Sequence, residues 1–422
     1  MHMAFEKLVC FPAHAGTRAQ GKGAALLRAL NAQGAVLHTR RTLGLEQQVR
    51  LELKLAGVSH CPEQVDARVE DCQPLPEEEG GWSHRLRVSF APQRVLGRRS
   101  WPGEGHLQTL AVLLPVPLGR LPAHEVEDVH VPISEGALLA RTHWLPGTAP
   151  LVLLLHGVAG ASENPYMRRA AAFLLEAGYH VARLNLRGAG EGRWLASNVH
   201  HTCLTDDLDA AVRHFSAQAR VQGVLAVGFS LGGNMALAAA AAPPPGLRGV
   251  ASISAPMDLH QTVLHLERSQ PLYHHYVLRG LQDFIRMHGE AWPAATPPAM
   301  VARALRARRI SEFDDQVMAP RHGFNGVADY YARTSCGPRL QQARIPCLVI
   351  HAEDDPMIPL NTLLPAMEEA AGTVTFLRLP RGGHVGFRGG LGLAGWRRSS
   401  AMEVVLAWAK ELLPVSQTTH GG

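Results

Sequence analysis

The amino-acid sequence predicts an α/β fold, a mainly parallel central sheet with helices on both faces, preceded by a small β-rich segment. Three observations predict it. Continuous apolar runs such as Leu151–Leu155 and Val224–Val227 read as strands buried on both faces, as in a parallel sheet covered by helices. From about Val126 onward, amphipathic stretches of helical period alternate with those runs. Before about residue 92 that alternation is absent and period-two patterns take its place.

Composition sets the outer bounds. A chain of 422 residues with 46% apolar side chains can build one large domain plus a smaller one. The net charge is +5 and the pI about 9.0, yet the arginines are scattered in short clusters such as Arg98-Arg99, Arg308-Arg309 and Arg397-Arg398. A nucleic-acid groove needs a continuous basic stripe, so no nucleic-acid partner is expected. The six cysteines are dispersed with no CxxC pair, which fits a reducing compartment and neither a zinc ribbon nor a redox dithiol. The N-terminal Met1–Lys7 lacks the apolar core of a signal peptide, and no apolar run approaches the ~20 residues of a membrane span. A soluble, cytoplasmic protein is the expectation.

In chain order, Gly34–Thr39, Val49–Leu55 and Leu86–Phe90 read as strands of a small barrel or sandwich over residues 1–92, and acidic Pro74–Gly81 as a loop between them. Residues 93–125 form a linker (Arg94–Pro102) and a lead-in segment. The α/β domain spans 126–415. It opens on a hairpin, Val126–Val131 with Leu138–Trp144, and continues through the buried strand Leu151–Leu155, the helix Tyr166–Ala177 and the strand Val181–Leu186. Thr205–Phe215 follows as a helix with Thr205 at its N-cap. After the strand Val224–Val227, an Ala-rich helix runs from Leu231 to Ala242 and stops at Pro243-Pro-Pro-Gly246. The strands Val250–Ser254, Cys347–His351 and Val374–Leu379 and the helix Ala401–Leu412 complete the series. Between about 256 and 338 the patterns are helical only. Such an insertion belongs over the carboxyl ends of the sheet, as a cap on the site that forms there.

The chemistry centres on Gly228-Phe-Ser230-Leu-Gly232. It follows a buried strand directly and precedes a helix directly, the context that G-x-S-x-G requires. A sharp strand-to-helix turn strains the serine backbone and forces small neighbours, and it presents the hydroxyl at a helix N-terminus. A serine hydroxyl needs a base, and the chain order demanded is serine, acid, histidine, each after a strand. Asp354 and Asp355 lie just past Cys347–His351, and His384 lies on the Gly-rich loop after Val374–Leu379. Asp355 is favoured as the acid, with Asp354 kept as the alternative. The oxyanion donors expected are the backbone N–H groups of Leu231, next to the serine, and Val158, in the loop His156–Gly160. His156 reads as a brace for that loop. His200-His201 and Asp206-Asp207 lack a metal-ligand spacing on a helix, and Arg187–Gly190 lacks the full dinucleotide fingerprint. No metal or organic cofactor is expected.

Jointly, these segments resemble the YheT-like esterase branch of the α/β-hydrolases, over about Arg94 to Leu413. The resemblance rests on Gly105-His-Leu-Gln-Thr109, His156-Gly-Val-Ala-Gly160 with Asn164-Pro-Tyr166, and Asn185-Leu-Arg-Gly-Ala-Gly190. It extends through His201-Thr-Cys-Leu-Thr-Asp-Asp-Leu208, Gly228-Phe-Ser-Leu-Gly-Gly-Asn234, Ala328-Asp-Tyr-Tyr331 and Gly383-His-Val-Gly-Phe387. It implies hydrolysis of carboxylic esters, with Ser230, Asp355 and His384 at the family's triad positions. Cys203 stands where the branch usually carries a small residue, and Val158 where it usually carries Leu. Residues Ala29–Gly34 and Val36–Thr39 weakly resemble the second half of a PilZ domain, a family that often binds cyclic di-GMP. Ala29 and Asn31 replace its key turn residues, no R-x-x-x-R precedes them, and Arg18 and Lys22 sit too close to the turn. A degenerate packing domain is expected there. The function expected is a serine hydrolase forming an acyl-enzyme from a small-molecule ester, and the apolar cap suggests a medium or long acyl chain. The alternative is an inactive hydrolase serving as a cyclic-di-GMP-responsive binding module.

Overall fold

In the computed structural model, the residues described are 103–111, 121, 125–387 and 399–415, together with six strand segments before residue 91. Those segments are β1 (Val9–Pro12), β2 (Gly23–Leu30), β3 (Gly34–Thr39), β4 (Gln48–Glu52), β5 (Val65–Glu79) and β6 (Trp82–Phe90). They pair antiparallel in the order β1-β4-β5-β6-β3-β2, and β1 also pairs β2, which closes the ring and leaves no free edge among them. The acidic stretch read as a loop is strand almost to its end. Pro74 lies opposite His84 and Glu79 opposite Trp82, because β6 offers ladder partners that composition cannot reveal. The linker Arg94–Pro102 lies outside the described residues, as do Arg18, Lys22 and Asn31, the positions weighed for a cyclic dinucleotide.

The central sheet begins with the antiparallel hairpin β7 (Glu125–Ile133) and β8 (Gly136–Trp144). Five parallel ladders then join β10 (His180–Asn185), β9 (Ala149–Leu155), β11 (Val221–Phe229), β12 (Leu247–Ile253), β13 (Cys347–Ala352) and β14 (Val374–Leu379), in that spatial order. β9 explains why the run reads as apolar throughout: all seven of its residues are buried. Leu151, Leu153 and Leu155 enter one core cluster, and Val152 and Leu154 enter the other.

Helix α1 (Glu104–Ala111), within the segment read only as a lead-in, precedes the sheet in the chain. One face of the sheet is covered by α2 (Pro165–Glu176) and by the terminal helix, whose Met167, Leu174, Val405 and Trp408 share the second cluster. The opposite face is covered by α3 (Thr205–Ser216) and α4 (Leu231–Ala239). The cap of α3 lies one residue earlier than expected: Leu204 holds the N-cap, makes no side-chain cap bond, and Thr205 is already helical. The helix α4 ends at Ala239, three residues before the expected Ala242. The terminal helix spans Ser400–Leu412.

Between β12 and β13 the described chain is helical. It comprises α5 (Leu259–Ser269), α6 (Pro271–Ala291), α7 (Pro298–Arg306), α8 (Ile310–Phe313), α9 (Ala319–Arg321) and α10 (Gly326–Thr334), with a π-helical turn at Asp314–Met318. Asp258 caps α5 by accepting from the N–H of Gln261 at 2.9 Å. These helices pack on the α3–α4 side, and Tyr273, Phe284, Phe313 and Tyr331 belong to that core cluster. No helix among the described residues is long and apolar enough to cross a membrane.

A buried ion pair ties the loops at one end of the sheet. The Arg187 guanidinium reaches Asp207 on α3 and Glu135 in the β7–β8 turn, and the Asp207 side chain is fully buried. Burial pushes the Asp207 carboxyl up, and the hydrogen bond from Arg187 opposes that push. Asp207→Ala strands the buried guanidinium with only Glu135. It is expected to cost roughly 3 kcal/mol in urea unfolding, the low end for breaking a buried pair, because one partner remains.

Candidate active site

Ser230 occupies the turn between β11 and α4 with φ 51° and ψ −117°, a conformation that costs a non-glycine residue energy. The neighbours show what makes the turn so tight. A Cβ at Gly228 would lie 2.1 Å from the Gly232 carbonyl oxygen, and one at Gly232 would lie 2.6 Å from the carbonyl oxygens of Leu155 and His156. Only hydrogens fit at both places. The turn is held by Ser230 N–H donating to Ile253 O at 2.8 Å, and by Gly233 and Asn234 N–H donating back to Ser230 O.

The Ser230 hydroxyl oxygen lies 3.0 Å from His384 Nε2, and His384 Nδ1 lies 3.0 Å from Asp355 Oδ2. The tautomer consistent with both contacts has Nδ1–H donating to the carboxylate and Nε2 accepting from the hydroxyl. All three residues are buried. Asp355 Oδ1 accepts from the N–H groups of Met357 at 2.8 Å and Ile358 at 3.1 Å. Burial by itself would raise this carboxyl. His384, by its charge and its hydrogen bond, together with His351 and the Ile358 N–H, outweighs burial and holds the carboxyl below its ordinary value.

The adjacent carboxylate points elsewhere. Asp354 Oδ1 accepts from the N–H groups of Gly382 and Gly383 at 2.8 and 2.9 Å, so it shapes the loop that carries His384 and no contact joins it to the imidazole. Helix α1 braces that loop from the other side. Thr109 Oγ1 accepts from His384 N–H at 2.8 Å and donates to Gly105 O at 2.7 Å. Arg381 pairs with Glu104 at 3.1 Å. Gly383 has φ +56°, and a Cβ there would meet Gly105 O at 2.3 Å, so helix and loop touch backbone to backbone. Gly105–Thr109 was legible as a motif, but nothing in its spacing indicated that Thr109 would hold the histidine backbone.

The two expected oxyanion donors flank the serine. Leu231 is the first residue of α4, so its N–H is one of the donors without an intrahelical partner. In the loop after β9, Gly157 N–H donates to the Tyr166 hydroxyl and Gly160 N–H to Gly157 O. Ala161 and Ser162 N–H go to Asn164 Oδ1 and Asn185 Oδ1. Val158, between these engaged positions, lines the cavity together with Leu231 and Ser230. His156 does brace the loop. Its Nδ1–H donates to Gly157 O at 2.8 Å, its Nε2 accepts from Leu186 N–H at 3.1 Å, and burial lowers its pKa to about 3. Tyr166, whose hydroxyl fixes Gly157, carried a sequence signal only through Asn164-Pro-Tyr166.

Ser230 and His384 open onto a cavity of about 100 Å³. The walls are mostly apolar side chains of the helical segment, among them Val263, Leu266, Leu281 and Phe284. His200 and His201 reach it too, and burial, their largest influence, lowers both pKa values to about 4, so both are neutral near pH 7. No group of three or more His, Cys, Asp or Glu among the described residues is arranged to hold a metal ion. The one carboxylate among the residues lining the cavity is Asp314, bonded to the Tyr331 hydroxyl at 2.7 Å.

The pattern of the alpha/beta hydrolase fold family matches residues 150–389. YheT of Escherichia coli strain K12 is 31% identical over 57% of this chain and 71% of that protein. Phospholipase ABHD3 of Bos taurus is 26% identical over 60% of this chain and 61% of its own length. Monoacylglycerol lipase ABHD2 of Homo sapiens is 25% identical over 68% of this chain and 72% of its own.

Asp314 gives the site a pH signature. Burial pushes its carboxyl up to about 7; the Tyr331 bond opposes that and the charge of Glu267 adds to it. An unfolded aspartate titrates near 3.9, so between about 4 and 7 the folded chain holds this proton and the unfolded chain does not. This group therefore lowers stability as pH rises through that window. Asp314→Asn is expected to lessen the decline in urea-unfolding stability between pH 5 and pH 7.5, and an unchanged slope would contradict the assignment.

Proposed function

The chain belongs to the α/β-hydrolase fold family, in its YheT-like branch, and is a carboxylic ester hydrolase; we propose that it cleaves its ester through a serine acyl-enzyme, with Ser230 as nucleophile, His384 as base and Asp355 as the supporting acid. The observation that carries this reading is the continuous contact from Ser230 Oγ through His384 to Asp355, at 3.0 Å for each link, at the floor of an apolar cavity.

The geometry supports the following steps. His384 Nε2 takes the Ser230 proton as Oγ attacks the ester carbonyl carbon. The carbonyl oxygen becomes an oxyanion, facing the N–H groups of Leu231 and Val158 and the positive end of α4. The protonated imidazole then gives its proton to the departing alkoxide, which leaves as the alcohol. A water molecule, deprotonated by the same nitrogen, attacks the acyl-enzyme and releases the carboxylic acid and free Ser230. Asp355 stays ionised throughout. It fixes the tautomer and stabilises the imidazolium without taking the proton. The apolar walls of the cavity support a medium or long acyl chain. Two relatives, a phospholipase and a monoacylglycerol lipase, support acyl-lipid esters as substrates.

With p-nitrophenyl esters of increasing chain length, Ser230→Ala is expected to lose roughly a millionfold in kcat, down to background. A fluorophosphonate is expected to label the native protein and not this variant; labelling that persists in Ser230→Ala would contradict the assignment. The neighbouring aspartates separate by role. Asp355→Asn is expected to lower kcat by about 10,000-fold through the wrong imidazole tautomer. Asp354→Asn is expected to act far more mildly, by loosening the histidine loop. Kinetics on the two variants decide between them, and a larger loss in Asp354→Asn would reverse the roles.

A further inference from the structure

Asp314 has no part in the steps above, yet it stands on the wall of the same cavity. It lies on the π-helical turn Asp314–Met318, a local widening of helix often found where a side chain is aimed at a site. It is 7% exposed, and the apolar Ile310, Met318 and Leu266 line the same cavity. Oδ2 accepts from the Tyr331 hydroxyl at 2.7 Å, while no donor among the described residues meets Oδ1. Oδ1 is not among the fully buried atoms left without a partner, so it is open to the cavity and to a donor that enters there. A core that needed only packing would place an apolar residue here.

We propose that Asp314, held in orientation by Tyr331, is the specificity-determining group of the acyl pocket and receives a hydroxyl borne by the acyl chain of the substrate. The substrate class is therefore hydroxylated acyl esters. The inference rests on the reading of this cavity as the acyl site. A hydroxyl suits the position because it can donate to Oδ1 when the carboxyl is ionised and accept from it when the carboxyl is protonated. Burial, which raises the carboxyl toward neutrality, favours an uncharged partner over a cation. Discrimination follows from the same physics: a plain chain filling the cavity would displace water from this oxygen and leave it unpaired.

The test reads binding, so that it does not depend on turnover. In the full chain carrying Ser230→Ala, affinities are measured by calorimetry for methyl decanoate and for methyl monohydroxydecanoates with the hydroxyl at successive carbons. At least one hydroxylated isomer is expected to bind about 10- to 100-fold tighter than the plain ester, the range for a hydrogen bond to a charged or partly charged group. That preference is expected to collapse toward unity when Asp314→Leu or the smaller Asp314→Ala is added. Two replacements of different size keep the test open if one of them fails to fold. Equal affinity for plain and hydroxylated esters in the parent would overturn the proposal, as would a preference that survives either replacement. Tighter binding of the aminodecanoate esters than of any hydroxylated isomer would overturn the hydroxyl class. A role confined to anchoring Tyr331 would lower the melting temperature in both replacements and leave the preference intact. The serine-esterase reading fails separately, by absence of ester hydrolysis in the native chain, and that failure leaves the binding preference readable.

Discussion

The backbone at Ser230 is the constraint on which the site depends. A residue with a side chain held at φ 51° persists only because its surroundings over-determine it. Here they do so by contact: α4 presses onto β9 through Gly232, and the turn closes on itself through Gly228. One constraint fixes several things together. It lifts the hydroxyl above the sheet edge, sets Leu231 at the start of a helix with a free N–H, and brings the β9 loop to the same spot. A Cβ at Gly157 would stand 3.3 Å from Ser230 Cβ, which measures how closely that loop approaches. The hydrophobic burial of β9 and β11 supplies the rigidity that sustains the strain.

Two neighbouring aspartates illustrate how environment divides identical chemistry. Asp355 turns toward the imidazole and stays below the usual carboxylate range, because His384 and backbone donors favour its charge more than burial opposes it. Asp354 turns toward the backbone of Gly382 and Gly383, and burial, its largest influence, shifts its carboxyl up. The first orients a side chain, the second a loop. Helix α1 completes the arrangement, since Thr109 binds the main chain of the same histidine whose ring Asp355 binds. The histidine is thus fixed at ring and backbone by elements more than 200 residues apart in the chain.

The cavity above these residues is apolar by composition and selective by its exceptions. The imidazoles of His200 and His201 are kept neutral by burial, so they add polarity without net charge. His156, buried more deeply still, serves only to shape the loop beneath. Asp314 is the exception that burial does not silence, since its carboxyl remains near the point of half-ionisation. Ile310, Leu266 and Met318 line the same cavity, and in apolar surroundings a hydrogen bond is electrostatically stronger than in water.

By itself, the sequence determined whatever depends on local pattern. Apolar runs placed the buried strands within about three residues at either end, and β3 and β14 match their expected spans residue for residue. The strand–Gly–x–Ser–x–Gly–helix succession located Ser230, because the strain of that turn demands small residues at known offsets. Loop positions after strands indicated His384 and the Asp354–Asp355 pair for the same reason. What the sequence could not hold was anything set by contacts across the chain. Rotation about one bond decides which of two adjacent carboxylates faces the imidazole, and packing alone selects it. The acidic run Pro74–Glu79 became strand because β6 lay opposite, and Thr205 yielded the cap position to Leu204. The brace from Thr109 and the placement of Asp314 on the cavity wall likewise appeared only once distant elements met. Local periodicity encodes which face a residue turns to the core; tertiary structure alone decides which side chains meet there.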